Sequence, residues 1–120
     1  INTLDFGAPF QFGHAPVSEL ADRITGLMHE DLDYVFFANS GSESTATSIK
    51  MARAYWRLMG QPTKTRFIGR MKGYHGVNFG GISVGGIAAN RKFFGQGIEA
   101  DHLRHTMLPQ NRFSTERASR

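Results

Sequence analysis

An α/β fold with a parallel-rich sheet and flanking helices is what these 120 residues predict, and three observations predict it. Asp33 to Ala38 reads Asp-Tyr-Val-Phe-Phe-Ala, a nearly continuous β-favouring run of the kind found in strands covered on both faces. A long helical pattern begins near Glu43 and is stopped by Gly60 and Pro62. Arg66 to Arg70 is then a second short β run. Strand, helix and strand fall within about 40 residues, the length of a βαβ crossover, so the two strands are expected to run parallel.

The remaining elements follow in order. Residues 1–13 place Gly7, Pro9 and Gly13 among Phe6, Phe10 and Phe12 and read as an irregular aromatic segment. A helix comes next, with Pro16 in its first turn and an apolar stripe of Val17, Leu20, Ala21, Ile24, Leu27 and Met28 against Glu19, Asp22 and Arg23. In the helix from Glu43, the positions Glu43, Thr47, Lys50, Arg53 and Arg57 lie along one side, with the charges complementing the macrodipole. After the second strand, a loop through Gly73, Tyr74, His75 and Gly76 leads into a glycine-rich stretch ending at Gly86. Helix over Val77 to Val84 competes with Gly80 and Gly81, each of which costs about 1 kcal/mol relative to Ala, although such small residues also permit close backbone packing. Beyond Gly97 the one further element expected is a short strand near His105 to Leu108. No repeat, low-complexity tract or linker divides the sequence, so residues 1–120 read as a fragment of one domain with no second domain.

Composition bounds the function. With 40% hydrophobic and 20% charged residues, the chain is an ordinary globular unit. Its longest apolar stretches, such as Tyr34 to Ala38, fall far short of the roughly 18 to 20 residues that span a membrane. The absence of Cys excludes a disulfide framework, a Cys-ligated zinc site, an iron–sulfur centre and a thiol nucleophile. It fits a reducing cytosol, and with no basic segment followed by an apolar run at the start, a cytoplasmic location is expected. The sequence opens at Ile1 without Met and closes in a polar stretch, Asn111 to Arg120, as a piece of something longer would. Some of its ten Phe residues are then available to cover missing segments or another subunit.

Charge is uneven: residues 1–60 hold four basic and seven acidic groups, and residues 61–120 hold ten and three. Lys64, Arg66, Arg70, Lys72, Arg91, Lys92 and Arg104 nevertheless form no dense run or single helical face that would track a phosphate backbone. No nucleic-acid partner is expected.

Two loops can carry chemistry. Asn39-Ser40-Gly41-Ser42-Glu43-Ser44 joins the end of the first strand to the start of a helix, where free N–H groups and the dipole favour an anion such as phosphate. Gly41 allows close approach of the backbone, the Ser42 N–H and hydroxyl can donate, and Ser40 or Ser44 either contributes or caps the helix. No Walker-type Lys follows the glycine and no G-x-G-x-x-G occurs at this turn, so neither nucleotide motif is met. Tyr74 and His75 leave the end of the other strand. In one parallel sheet, both loops would open on the same edge, and Tyr74 could stack on a flat heteroaromatic ring whose phosphate rests on Gly41 and Ser42. The plainer alternatives are a helix cap at the first loop and, at the second, a Tyr74 that packs internally beside a His75 that is a loop residue bonded to backbone.

Val-Phe-Phe-Ala-Asn-Ser-Gly-Ser-Glu-Ser at 35–44, Ala-Arg-Ala-Tyr-Trp at 52–56 and Ile-Gly-Arg-Met-Lys-Gly-Tyr-His-Gly at 68–76 together resemble class III pyridoxal-phosphate aminotransferases. Val-Asn-Phe-Gly-Gly-Ile-Ser-Val-Gly-Gly at 77–86 and Asn-Arg-Lys-Phe-Phe-Gly at 90–95 are most similar to the branch that uses β-alanine or other omega-amino acids with pyruvate. The similarity runs from about Phe10 to Leu108. It implies part of the large domain of a fold-type I enzyme, with pyridoxal 5′-phosphate held by Gly41 and Ser42, Tyr74 on the pyridine ring and His75 beside it. Glu43 also matches a position near the cofactor but is assigned only a helix-dipole role.

The resemblance further implies an amino donor and a keto-acid acceptor as small-molecule partners. It implies a homo-oligomer, dimer or tetramer, whose active site forms between subunits, with Phe10 and Phe12 facing the neighbour's pocket. The Schiff-base Lys and the acidic partner of the pyridinium nitrogen have no match: Lys50, Lys64, Lys72 and Lys92 all fall outside the family position, and Lys50 lies roughly 10 Å along the helix from the phosphate cup. No residue of this sequence is therefore assigned a catalytic role, and these residues alone are not expected to turn over. A non-catalytic phosphate-binding or oligomerisation module is the alternative reading.

Overall fold

The computed structural model describes residues 13–111; the aromatic segment before Gly13 and the polar residues 112–120 lie outside the described residues. The chain divides into two compact units, Ile1–Phe37 and Ala38–Arg120.

In the first unit, helix α1 spans Ala15–Thr25. Pro16 sits in its first turn, as expected, because the N–H that proline lacks has no intrahelical partner there. Glu19 and Arg23 pair at 2.7 Å with the favourable order of acid before base. The helix ends earlier than the apolar stripe: the Thr25 hydroxyl donates to the Ala21 and Asp22 carbonyls and Gly26 caps the end, so Leu27 and Met28 fall beyond it.

Asp33 to Ala38 is not a strand. It runs without regular structure, and the Tyr34 side chain is 97% exposed. A strand exists only through a neighbour that takes its N–H and C=O groups, and no described segment pairs with this one.

The second unit holds the sheet. Helix α2 spans Gly41–Leu58, two residues earlier than the sequence pattern, and Lys50, Arg53 and Arg57 line one cleft beside it with Pro62 and Thr65. Lys64 lies over the Trp56 ring, 3.1 Å from its centre, tying the chain after α2 back onto the helix. Strand β1, Phe67–Arg70, agrees with the expected second strand. It is followed by α3, Phe79–Val84, and α4, Ala88–Phe94, and then by strand β2, Ala100–Leu103. The strands run parallel in the register Phe67↔Ala100 to Arg70↔Leu103, with Arg66 and Asp101 paired across them at 2.7 Å.

The parallel sheet therefore stands, with β2 as the partner of β1. The strand expected near His105 to Leu108 lies earlier, at β2, because residues 106–108 turn toward a short 3-10 helix, Pro109–Asn111.

Helix α3 forms despite Gly80 and Gly81, and close packing explains why. Ile49 of α2 lies 3.2 Å from where a Cβ on Gly80 would stand, and a Cβ on Gly69 of β1 would run into the Val84 carbonyl at the end of α3. Ser83, fully buried, fixes α3 to the approach to β2: its hydroxyl donates to the Phe79 carbonyl at 2.6 Å and accepts the N–H groups of Gly97 and Ile98 at 2.9 and 3.1 Å.

Candidate functional site

The start of α2 leaves two backbone N–H groups and one hydroxyl without an acceptor among the described residues. Ser40 is the N-cap: its side chain accepts the Glu43 N–H at 3.2 Å and its carbonyl accepts the Ser44 N–H at 3.0 Å. Glu43 closes the turn from the other side, its carboxylate accepting the Asn39 N–H at 2.9 Å in a variant of the capping box. Glu43 thus has a structural task in addition to the dipole role expected of it. Among the described residues, the N–H groups of Gly41 and Ser42 have no acceptor, and neither does the Ser42 hydroxyl proton. A Cβ built on Gly41 would meet nothing within 4 Å, and Gly41 is exposed. Two N–H groups and one hydroxyl in the first turn, at the positive end of an 18-residue helix, suit a phosphate or a carboxylate.

The second loop is built by backbone contacts. Lys72 N–H donates to the Gly86 carbonyl at 3.0 Å, Gly86 N–H donates to Gly73 at 2.7 Å, and Gly73 N–H donates to Arg70 at 3.0 Å. These bonds tie the chain leaving β1 to the end of α3, with Lys72 held in the left-handed region at φ 67°. Tyr74 leaves this knot with its side chain 62% exposed, and His75 beside it is also exposed. Among the described residues, Tyr74 is thus not packed internally.

The two loops meet. Val77 N–H donates to the Ser42 Oγ at 3.1 Å, bridging 35 residues of sequence. Gly76 makes the approach possible: it is buried, sits at φ 111°, and a Cβ there would lie 2.6 Å from both the Cα and the Oγ of Ser42. Gly41, Ser42, Tyr74 and His75 are thereby carried on two adjoining loops. A cleft of about 390 Å³, lined by Val77, Phe79, Ile82, Asn90 and Phe94, shares Val77 with this joint.

Sequence reasoning did not single out Gly76, the Val77 N–H or Ser83. Gly76 had a signal, since it follows Tyr74-His75 in a quoted motif; a backbone N–H and a buried serine hydroxyl had none. Among the described residues, no group of three or more His, Asp or Glu side chains could hold a metal ion, and no helix is long and apolar enough to cross a membrane.

Residues 3–119 match the family model for aminotransferase class-III. The β-alanine–pyruvate aminotransferase of Pseudomonas aeruginosa is 56% identical over 114 residues, 95% of this chain and 25% of that protein. The omega-amino acid–pyruvate aminotransferase of Pseudomonas putida is 53% identical over 115 residues, 95% of this chain and 26% of that protein. The chain spans about a quarter of the length of these curated relatives. Among solved structures, an amine transaminase from an uncultivated Pseudomonas species in its PLP-bound form superposes with TM-score 0.74 at 37% identity, over 82% of this chain and 23% of that one. A transaminase from the marine bacterium Virgibacillus reaches TM-score 0.81 at 33% identity, over 88% of this chain and 24% of that one. Matched by that family model over nearly all its residues and more than half identical to two of its relatives, the chain belongs to the class-III aminotransferase family.

Proposed function

We propose that these residues form part of the pyridoxal-phosphate-binding large domain of a transaminase that moves an amino group from an omega-amino acid or amine, such as β-alanine, to pyruvate. The observation that carries the reading is the joint between the two loops. The donors left open at the head of α2 belong to Gly41 and Ser42, and the Val77 N–H joins that cup to the loop bearing Tyr74 and His75.

The residues present fit the cofactor. Its phosphate needs several donors without partners of their own; Gly41 and Ser42 offer two N–H groups and a hydroxyl with no acceptor among the described residues, at a glycine with no side chain in the way. Its ring needs a flat apolar cover, which the exposed Tyr74 supplies, with His75 at hand as a further polar contact. When bound, pyridoxal phosphate supplies a carbonyl for the amino group and a ring that withdraws electrons from the substrate carbon. The chain's own part is to bind and orient. Gly41 and Ser42 fix the anionic end, Tyr74 fixes the plane, and Ser40 and Glu43 hold the helix start in the shape that leaves those donors free.

None of Lys50, Lys64, Lys72 and Lys92 is assigned the Schiff-base role, and Lys64 is engaged on Trp56. That Lys is expected elsewhere in the complete polypeptide, acting as a cytoplasmic homodimer or homotetramer. Supplying the complete polypeptide with β-alanine and pyruvate should yield alanine in a steady, ping-pong reaction, while residues 1–120 alone should not turn over. Binding of pyridoxal phosphate without alanine formation from any amino donor would instead favour the non-catalytic module.

A further inference from the structure

We infer that Gly76 and the Val77 N–H are positioning groups for the Ser42 hydroxyl, holding its oxygen from behind so that its proton is aimed into the phosphate cup. The inference rests on the phosphate reading above and adds residues to it that touch no part of the cofactor.

A serine hydroxyl has one proton and can turn it in several directions. At the second position of α2 no helical carbonyl lies one turn behind, whereas further along a helix serine and threonine hydroxyls readily bond backward to one. Ser48 and Thr25 do so in this chain, donating to Ser44 at 2.9 Å and to Ala21 at 3.1 Å. Ser42 does not. Its oxygen accepts the Val77 N–H at 3.1 Å, an occupied lone pair that fixes the oxygen, and its proton meets no acceptor among the described residues. The open N–H groups of Gly41 and Ser42 lie on the same turn. One donor is thus held ready at the positive end of the helix.

Only glycine allows the arrangement. Residue 76 must bring its backbone against Ser42, where a Cβ would lie 2.6 Å from the Cα and Oγ and 2.9 Å from the Cβ. Its φ of 111° is also one that side chains with a Cβ rarely adopt. Any other residue pushes the 74–77 loop away from α2, and the Val77 N–H goes with it.

The test separates the phosphate from the ring. In the complete polypeptide freed of cofactor, equilibrium binding of pyridoxamine 5′-phosphate and of pyridoxamine is measured, so that covalent attachment does not contribute. The variants are Gly76→Ala and a chain in which the Val77 amide N–H is replaced by an ester oxygen. Each should lose about 10-fold in preference for the phosphorylated ligand, the scale of one misplaced charge-assisted donor; pyridoxamine affinity should hold within about 2-fold in the ester chain, whereas in Gly76→Ala, which also shifts the loop bearing Tyr74, pyridoxamine should weaken as well, but about 10-fold less than the phosphorylated ligand.

In a Ser42→Ala background the ester should cause no further loss. Equal weakening of both ligands, or an unchanged preference, would overturn the inference; if Gly76→Ala does not fold, the ester chain decides alone. A wild-type protein with no preference for the phosphorylated ligand would overturn the phosphate reading as well, which distinguishes the two failures.

Discussion

Replacing Ser83 by Ala is the sharpest test of how the second unit is held together. The hydroxyl is fully buried and makes three hydrogen bonds, one donated to Phe79 and two accepted from Gly97 and Ile98. The Phe79 carbonyl keeps its helical partner, so little is lost there. Gly97 is exposed, and water can replace the serine oxygen on its N–H. Ile98 is half-buried, and its N–H bears most of the cost. An orphaned buried donor costs about 1–3 kcal/mol, so the sum is about 2 kcal/mol rather than the roughly 6 kcal/mol that two fully buried orphans would give. Because the effect is local, hydrogen exchange reads it better than a global melt: about 2 kcal/mol corresponds to about 30-fold faster exchange at Ile98 and along β2. Exchange at Ile98 within about 3-fold of wild type would refute the claim that this hydroxyl anchors α3 to β2.

Other substitutions divide by what the new atoms meet. Gly80→Ala should be within about 1 kcal/mol of wild type, since the gain in helix propensity is set against a 3.2 Å approach to the flexible end of Ile49. Gly81→Ala should cost about 3 kcal/mol or more in a denaturant titration, because the added carbon meets the rigid His75 carbonyl at 2.5 Å. Ser40→Ala should remove about 1 kcal/mol from the start of α2 and slow cofactor uptake, measured by rapid mixing. At Lys72, held at φ 67°, Gly should lie within about 0.5 kcal/mol of Lys, while Val should cost about 1–2 kcal/mol in the same titration.

The elements read correctly from sequence were those whose signal is local. Helix α2 announces itself by spacing, and Arg66 to Arg70 by its residue types between clear breaks. Asp33 to Ala38 misled because β propensity describes a residue's fitness for a sheet and says nothing about a partner. Strand β2 was passed over for the opposite reason: Ala-Asp-His-Leu is short and polar, and it is a strand only because β1 lies beside it. The seven residues of α4, between Gly86 and Gly95, are too few for periodicity to register. Of the site, the open donors of Gly41 and Ser42 follow the loop-to-helix pattern, and the loop bearing Tyr74 and His75 adjoins them although residues 33–38 form no strand. What joins them is the Val77 N–H on Ser42 across 35 residues, with Gly76 allowing the approach; the glycine is visible in sequence, but the backbone N–H that uses it is not.

That joint also bears on what the site can tolerate. Val84 is the one hydrophobic side chain buried among the described residues, while Ile68 and Leu103 on the two strands are 68% and 56% exposed. Parallel strands usually have both faces buried. Within residues 70–86 the buried positions are Gly76, Gly81, Ser83, Val84, Gly85 and Gly86, so few side chains shape this region. Backbone set against backbone shapes it instead: Lys72 with Gly86, Gly86 with Gly73, Gly81 under His75 and Gly76 against Ser42. Geometry fixed this way is insensitive to the chemistry of neighbouring side chains but intolerant of a single added carbon at the glycines. Substituting the exposed Ile68, Leu103 or Phe93 with polar residues should accordingly leave the preference for phosphorylated ligand within about 2-fold, even where stability falls. A loss of that preference at any of the three exposed positions would show that the cup is shaped by the sheet's apolar faces and not by its glycine contacts.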